Sequence, residues 1–154
     1  MLYDLIIKNG NIVSDEKTII GDIGIIDGKI ILVGNLMNEK AKRVIDATGK
    51  YVMPGAIEAH MHCQAPFQGC LGANTFYEQS ISAAFGGITM FMDFANMKKG
   101  DSPYSQVIKR VKEMEESAID FSVHGKFIES SEVTEEEIEK IVNYGVPTFK
   151  MFMT

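Results

Sequence analysis

From Tyr51 onward the sequence alternates between two grammars, and that alternation restricts the fold more than any other feature. Apolar runs of strand length lie at 51–53 leading into 54–62, at 88–92, at 119–123 and at 148–153. Helix signals separate them. Asn74 or Thr75 can cap a helix running to about residue 85, which Gly86-Gly87 ends. Ser102-Pro103 is an N-cap followed by proline at the first helical position. The helix after it puts Val107, Val111, Met114 and Ala118 on one face, with Lys109, Arg110, Lys112, Glu113 and Glu116 largely outside it. Thr134 with Glu135-Glu136-Glu137 reads as a capping box, and Val133 with Ile138 as its hydrophobic staple. That third helix buries Ile138, Ile141 and Val142 and stops at Gly145. The order β-α-β-α-β-α-β predicts parallel strands joined by helices, in a doubly wound sheet or a (β/α)8 barrel. Barrel active sites lie at the C-terminal strand ends.

Residues 3–33 follow a different pattern. Asp4-Leu5-Ile6-Ile7, the turn Asn9-Gly10 and Asn11-Ile12-Val13 come first. Thr18-Ile19-Ile20 and Ile23-Gly24-Ile25-Ile26 follow, and Asp27-Gly28 is a strong hairpin signal before Lys29-Ile30-Ile31-Leu32-Val33. This predicts an antiparallel meander of short strands. Val44-Ile45-Asp46 adds another strand, ended by Thr48-Gly49-Lys50. The expected role of this small sheet is structural.

The chain has 154 residues, enough for one ordinary core, with 45% hydrophobic and 23% charged residues. Its net charge of −6 argues against nucleic acid or an anionic membrane surface as a partner, since both select basic faces. No apolar run reaches the length of a membrane span, and Met1-Leu2-Tyr3-Asp4 lacks the shape of a signal peptide. Cys63 and Cys70 give no disulfide framework, so the expected location is the cytoplasm.

The candidate site begins at Glu58-Ala59-His60-Met61-His62. Side chains alternate along a strand, so His60 and His62 point the same way and can grip one metal ion. Lys150 lies inside the apolar run Phe149-Lys150-Met151-Phe152. A buried lysine favours its neutral amine, which can react with carbon dioxide to give an anionic carbamate able to bridge two metals. The alternative reading is that Lys150 snorkels out or pairs with a carboxylate. His124 is either a lining residue or a satisfied structural histidine, and Asp93 either supports the site or partners a helix. Cys63 and Cys70 beside the histidines imitate a structural zinc site but lack a Cys-x-x-Cys pair. The acidic cluster 132–139 reads as a solvated helix start.

Taken together, His60-Met61-His62 after Met53-Pro54-Gly55, Gln64-Ala65-Pro66-Phe67, Gly86-Gly87-Ile88-Thr89 and Phe149-Lys150-Met151-Phe152-Met153 resemble the amidohydrolase superfamily. Within it they are most similar to dihydropyrimidinases and hydantoinases. Asp4-Leu5-Ile6-Ile7-Lys8-Asn9-Gly10 and Val44-Ile45-Asp46-Ala47-Thr48-Gly49-Lys50 fit too, so the resemblance covers the whole chain. It implies an α/β fold: the first half of a metal-dependent hydrolase (β/α)8 barrel, preceded by part of a small β-sandwich domain. Residues 1–50 would belong to the sandwich. Residues 51–154 would supply the first four strands and three helices of the barrel.

The same resemblance implies two zinc ions per full-length subunit. His60 and His62 would bind the more buried one. Lys150, carboxylated by carbon dioxide, would bridge both and serve catalysis. Glu58, Phe67, Asp93 and His124 are expected beside or lining the site. Glu58 stands where the family usually has aspartate, a longer carboxylate that shifts the geometry around the ligands. Further ligands, two histidines and an aspartate, and a tyrosine that assists the oxyanion belong to segments past Thr154. On this reading the chain is an N-terminal fragment, inactive alone, with raw sheet edges. The implied reaction opens a dihydropyrimidine or hydantoin ring to an N-carbamoyl amino acid, in a homotetramer acting on a small cyclic ureide. Allantoinase or another cyclic amidase is an alternative, as is a non-catalytic scaffold that shares the fold. Gln64, where dihydroorotases carry arginine, argues against those enzymes.

Overall fold

The computed structural model describes residues 2–65, 70–129 and 133–152. The strands and helices are β1 (Leu2–Val13), β2 (Thr18–Ile26), β3 (Lys29–Gly34), β4 (Lys40–Asp46), β5 (Tyr51–Val52), β6 (Ala56–Glu58), α1 (Phe76–Phe85), β7 (Ile88–Phe94), α2 (Pro103–Met114), β8 (Asp120–Phe127), α3 (Glu135–Asn143) and β9 (Phe149–Met151). They form two compact units, Met1–Pro54 and Gly55–Thr154.

In the first unit β1 is the hub of a sheet ordered β3-β2-β1-β4, with β5 also paired to β1. The β1-β2-β3 meander is antiparallel, as its turn residues predict. Asp27 and Gly28 have φ of 50° and 71°, the two positive values that a tight hairpin turn requires. The sheet as a whole is mixed, because β4 and β5 run parallel to β1. Asn9-Gly10 is not the turn that the sequence suggests. It is a bulge within one twelve-residue strand, where the register jumps from Ile7↔Ile23 to Gly10↔Gly21. Asn9 accepts a φ of 60°, and the Asp22 carboxylate takes the freed Asn9 N–H at 2.9 Å, so the chain continues straight on. The other Asp22 oxygen accepts from Leu36 N–H at 2.8 Å. Tyr3, Ile6 and Leu36 form the small core beneath.

The second unit is a parallel sheet in the order β6-β7-β8-β9 with α1, α2 and α3 between successive strands. Strands added in strict sequence order build the wall of a barrel, whereas a doubly wound sheet reverses at a switch point. The apolar run at 51–53 is not the start of β6. Tyr51–Val52 pairs with β1 in the other sheet, and Pro54, which has no N–H to give a ladder, separates the two strands.

All three helices start where their caps predict. Thr75 caps α1 in a reciprocal box with Glu78, Ser102 caps α2 ahead of Pro103, and Thr134 caps α3. Glu137 does not close a box on Thr134. Its carboxylate instead accepts from Ser102 Oγ at 3.0 Å and Tyr104 N–H at 2.9 Å, joining α3 to the start of α2. Val142 is 43% exposed, so Ile141 is the residue of α3 that goes fully into the core. Arg110 is the larger departure: it is 2% exposed, on the Pro103-Val107-Arg110-Met114 stripe rather than outside the buried face. The core between sheet and helices contains Phe76, Phe91, Val107, Met114, Val123, Phe127 and Ile141. At Gly125 an added Cβ would lie 2.8 Å from the Phe149 ring on the paired strand, so glycine is what admits that ring to the core.

Candidate functional site

The parallel strands bring their C-terminal ends together, and the candidate residues lie there. β6 stops at Glu58, and Met61 N–H then donates to Met92 carbonyl at 3.0 Å, holding the next segment against β7. Met61 packs on the core, and its neighbours His60 and His62 turn the other way. Their rings stand 5.2 Å apart at 76°, with the Glu58 carboxylate accepting from His60 N–H at 2.9 Å.

Phe94, the last residue of β7, is the floor of the cluster. Its ring lies 4.7 Å from His60, 4.9 Å from His62 and 4.8 Å from His124. Lys150 Nζ sits 4.4 Å from the same ring, a cation over an aromatic face. One buried ring at the end of β7 thus gathers residues from the segment after β6, from β8 and from β9. From sequence Phe94 is only the end of its strand, and that position is its signal.

His124 lines this cluster but both of its nitrogens are engaged. Nε2 lies 2.9 Å from Ala59 carbonyl and Nδ1 2.7 Å from Thr148 Oγ1. A carbonyl only accepts, so Nε2 carries the proton and Nδ1 accepts from the threonine hydroxyl. That arrangement leaves no lone pair for a metal and ties β8 to the histidine segment and the start of β9.

Asp93 faces the opposite side from Phe94 and is fully buried. One oxygen accepts from Cys63 N–H at 2.9 Å and pairs with Arg110 Nη2 at 2.9 Å. The same Nη2 donates to Cys63 carbonyl, and Nη1 bonds Glu113 at 2.9 Å. The Arg110 guanidinium lies 4.6 Å over the Phe76 ring. This pair therefore clamps both backbone groups of Cys63, the residue after His62. Burial, with Asp93 adding to it, pushes the Cys63 thiol up to about 11. Cys70 is exposed. Phe67 lies outside the described residues.

Lys126 is a further residue of the site that the sequence reading missed, because β8 was expected to end at 123 and runs to Phe127. It is two residues beyond His124 and directly opposite Lys150 in the β8–β9 register, so these side chains share a sheet face. Burial pulls its ammonium below the ordinary lysine range, with Lys150 and then Arg110 adding to the fall and Asp93 opposing it. Burial likewise lowers His62, helped by Lys150, with Asp93 opposing and His60 and Lys126 contributing less. A histidine shifted this way keeps its neutral ring, the form that binds metal, to lower pH.

Among the described residues no group of three or more His, Cys, Asp or Glu side chains stands ready to hold a metal ion. The histidine pair itself fits one. Rings 5.2 Å apart are near enough for one ion to be reached by a nitrogen of each. Lys150, on the same ring floor, fits as a third ligand only as its carbamate, since a protonated amine has no lone pair to offer.

No family model matches the chain. Individual relatives do. The D-hydantoinase of Geobacillus stearothermophilus is 38% identical over 151 residues, covering 96% of this chain and 32% of the relative. The dihydropyrimidinase of Rattus norvegicus is 31% identical over 157 residues, covering 97% of this chain and 30% of the relative. Among solved structures, a D-hydantoinase superposes with a TM-score of 0.90 at 37% identity, over 98% of this chain and 33% of that one. A dihydropyrimidinase from Brevibacillus agri gives 0.90 at 32% identity, over 97% and 33%. The chain spans about a third of the length of the curated relatives it matches. It matches the N-terminal part of the hydantoinase structures, with a β-sheet domain followed by a parallel half-barrel. The chain therefore belongs to the dihydropyrimidinase/D-hydantoinase family, of which it represents a portion.

Proposed function

We propose that this chain supplies the first strand-end ligands of a zinc-dependent cyclic amidase that opens dihydropyrimidine or hydantoin rings. The observation that carries the reading is the gathering of His60, His62 and Lys150 around Phe94 at the ends of parallel strands. His60 and His62 would hold one zinc ion, and Lys150, as a carbamate, would be a further ligand. When bound, the metal pair lowers the pKa of water towards neutrality and polarises an amide carbonyl. This chain's residues do the rest of what can be assigned to it. The Asp93–Arg110 pair fixes the backbone beside His62, and Glu58 fixes the backbone of His60. His124 locks the histidine segment to β8, and Phe94 excludes water from beneath the ligands. The product is an N-carbamoyl amino acid. The remaining ligands come from outside this chain, and the assembly is a homotetramer.

The test is ring opening of dihydrouracil and hydantoin by the full product of the reading frame that encodes this chain, with and without Lys150→Ala. Ring opening by the wild type, lost together with metal in the variant, is the expected result. A metal-replete wild type that opens neither ring, or a variant that keeps metal and rate, overturns the proposal.

A further inference from the structure

Strand β8 lies between β9 and β7 in the parallel sheet. Lys150 starts from β9, yet its Nζ sits 4.4 Å from the ring of Phe94, the last residue of β7. The side chain therefore crosses the face of β8. Near its C-terminal end β8 presents His124 and Lys126 on that face. His124 is the register partner of Phe94, and Lys126 is the register partner of Lys150 itself. Neighbouring strands are about 4.8 Å apart, so the Lys126 and Lys150 side chains leave the sheet side by side.

His124 has nothing to offer a further partner, since Nε2 donates to Ala59 carbonyl and Nδ1 accepts from Thr148 Oγ1. Lys126 does. It is half-buried, and Lys150 is the charge that acts on it most strongly, ahead of Arg110 and Asp93. Asp93 is the acid in that set, and it is already buried against Arg110 at 2.9 Å. Two ammonium groups side by side repel one another, more so where water is partly excluded. Carboxylation of Lys150 reverses the sign of that interaction. The amine nitrogen forms a bond to the carbon of carbon dioxide, one C=O electron pair moves onto oxygen, and two protons leave the nitrogen for solvent. An ammonium cation thereby becomes a carbamate anion.

We propose that Lys126 is a positioning residue whose ammonium pairs with the Lys150 carbamate and holds it formed before zinc arrives. This rests on the carbamate of the ring-opening reading above and assigns what stabilises it. The ammonium has three donors on a flexible stem, so it can follow the carbamate oxygens as the group at 150 lengthens. Zinc then meets an anion beside His60 and His62 rather than an ammonium that repels it. Lys126 also lines a cavity of about 670 Å³ beside α2. An ammonium turned into that cavity would have no bearing on Lys150, and its removal would leave the carbamate as it was.

The experiment uses the full reading-frame product, stripped of metal by a chelator and equilibrated with isotopically labelled bicarbonate, in wild type, Lys126→Met, Lys126→Gln and Lys126→Arg. Carbon nuclear magnetic resonance counts the carbamate, Lys150→Ala identifies its signal, and circular dichroism checks that each variant is folded. The quantity read is the bicarbonate concentration that half-carboxylates Lys150. Loss of one charge-assisted hydrogen bond raises it by about 10- to 100-fold in Lys126→Met. Lys126→Gln, which stays polar but uncharged, raises it too, and Lys126→Arg restores most of the wild-type value. An unchanged concentration in whichever of the Met and Gln variants folds overturns the proposal and leaves Lys150 as a carbamate ligand. A wild-type carbamate that forms only once zinc is returned does the same. If no carbamate forms on the wild type even with zinc present, the carbamate of the ring-opening reading falls, and the pairing with it.

Discussion

Arg110→Met should destabilise the second unit by about 3–5 kcal/mol, the usual cost of stranding one partner of a buried ion pair. The structure places this change near the upper part of that range. Asp93 and Arg110 are 1% and 2% exposed, so water cannot replace the lost partner. Methionine keeps much of the volume and removes only the charge and its donors. Asp93 would retain Cys63 N–H and its own Phe94 N–H, but lose the cation that balances it. Cys63 carbonyl would lose its guanidinium donor as well. At roughly 2–4 °C per kcal/mol for a chain of this size, the expected fall in Tm is about 6–20 °C. Circular dichroism at 222 nm reads it, since α1, α2 and α3 all belong to this unit. Lysine at 110 should rescue little, because a single ammonium cannot bond Asp93, Glu113 and Cys63 together as the fork does. Asp93→Asn combined with Arg110→Met should cost less than the sum of the two single changes. A Tm for Arg110→Met within about 2 °C of wild type, under 1 kcal/mol on that scale, would refute the argument that this pair holds the unit together.

Other expectations follow from local contacts. Native protein should show one thiol that reacts quickly with a disulfide reagent, exposed Cys70, and a second only in denaturant, buried Cys63; fast modification of both contradicts the packing. The Cys63 thiol ionises near 9.0 when unfolded and about 11 when folded, so folding favours its protonated form. That contribution is complete below pH 9 and is lost as pH rises through 11, a loss that Cys63→Ala should abolish in alkaline melts. Thr75→Ala removes the α1 cap and its box with Glu78 and should cost about 1 kcal/mol in denaturant unfolding; no measurable cost would show that α1 is held by packing alone.

Much of this architecture could be read from local chemistry. Caps at Thr75, Ser102 and Thr134 mark helix starts because they satisfy donors the helix leaves free, and those signals sit within four residues. The Asp27-Gly28 hairpin is equally local. What escaped depends on partners far away in sequence. Asn9-Gly10 looks like a turn until Asp22 is placed across from it to take the Asn9 N–H. Arg110 looks like a surface charge until Asp93, seventeen residues earlier, is buried beside it. Its spacing from Val107 and Met114 was a usable sign. At the site, the His60–His62 pair and Lys150 were visible as residue types, while the role of Phe94 and the place of Lys126 required the strand register that sets them side by side.

The most direct measurement is the metal content of the full reading-frame product, purified without chelators, in wild type and in His60→Ala/His62→Ala. The account predicts two zinc ions per chain in the wild type and loss of at least one in the double variant, with the circular dichroism spectrum preserved. A double variant that folds and keeps its full metal content would contradict the assignment of His60 and His62 as ligands.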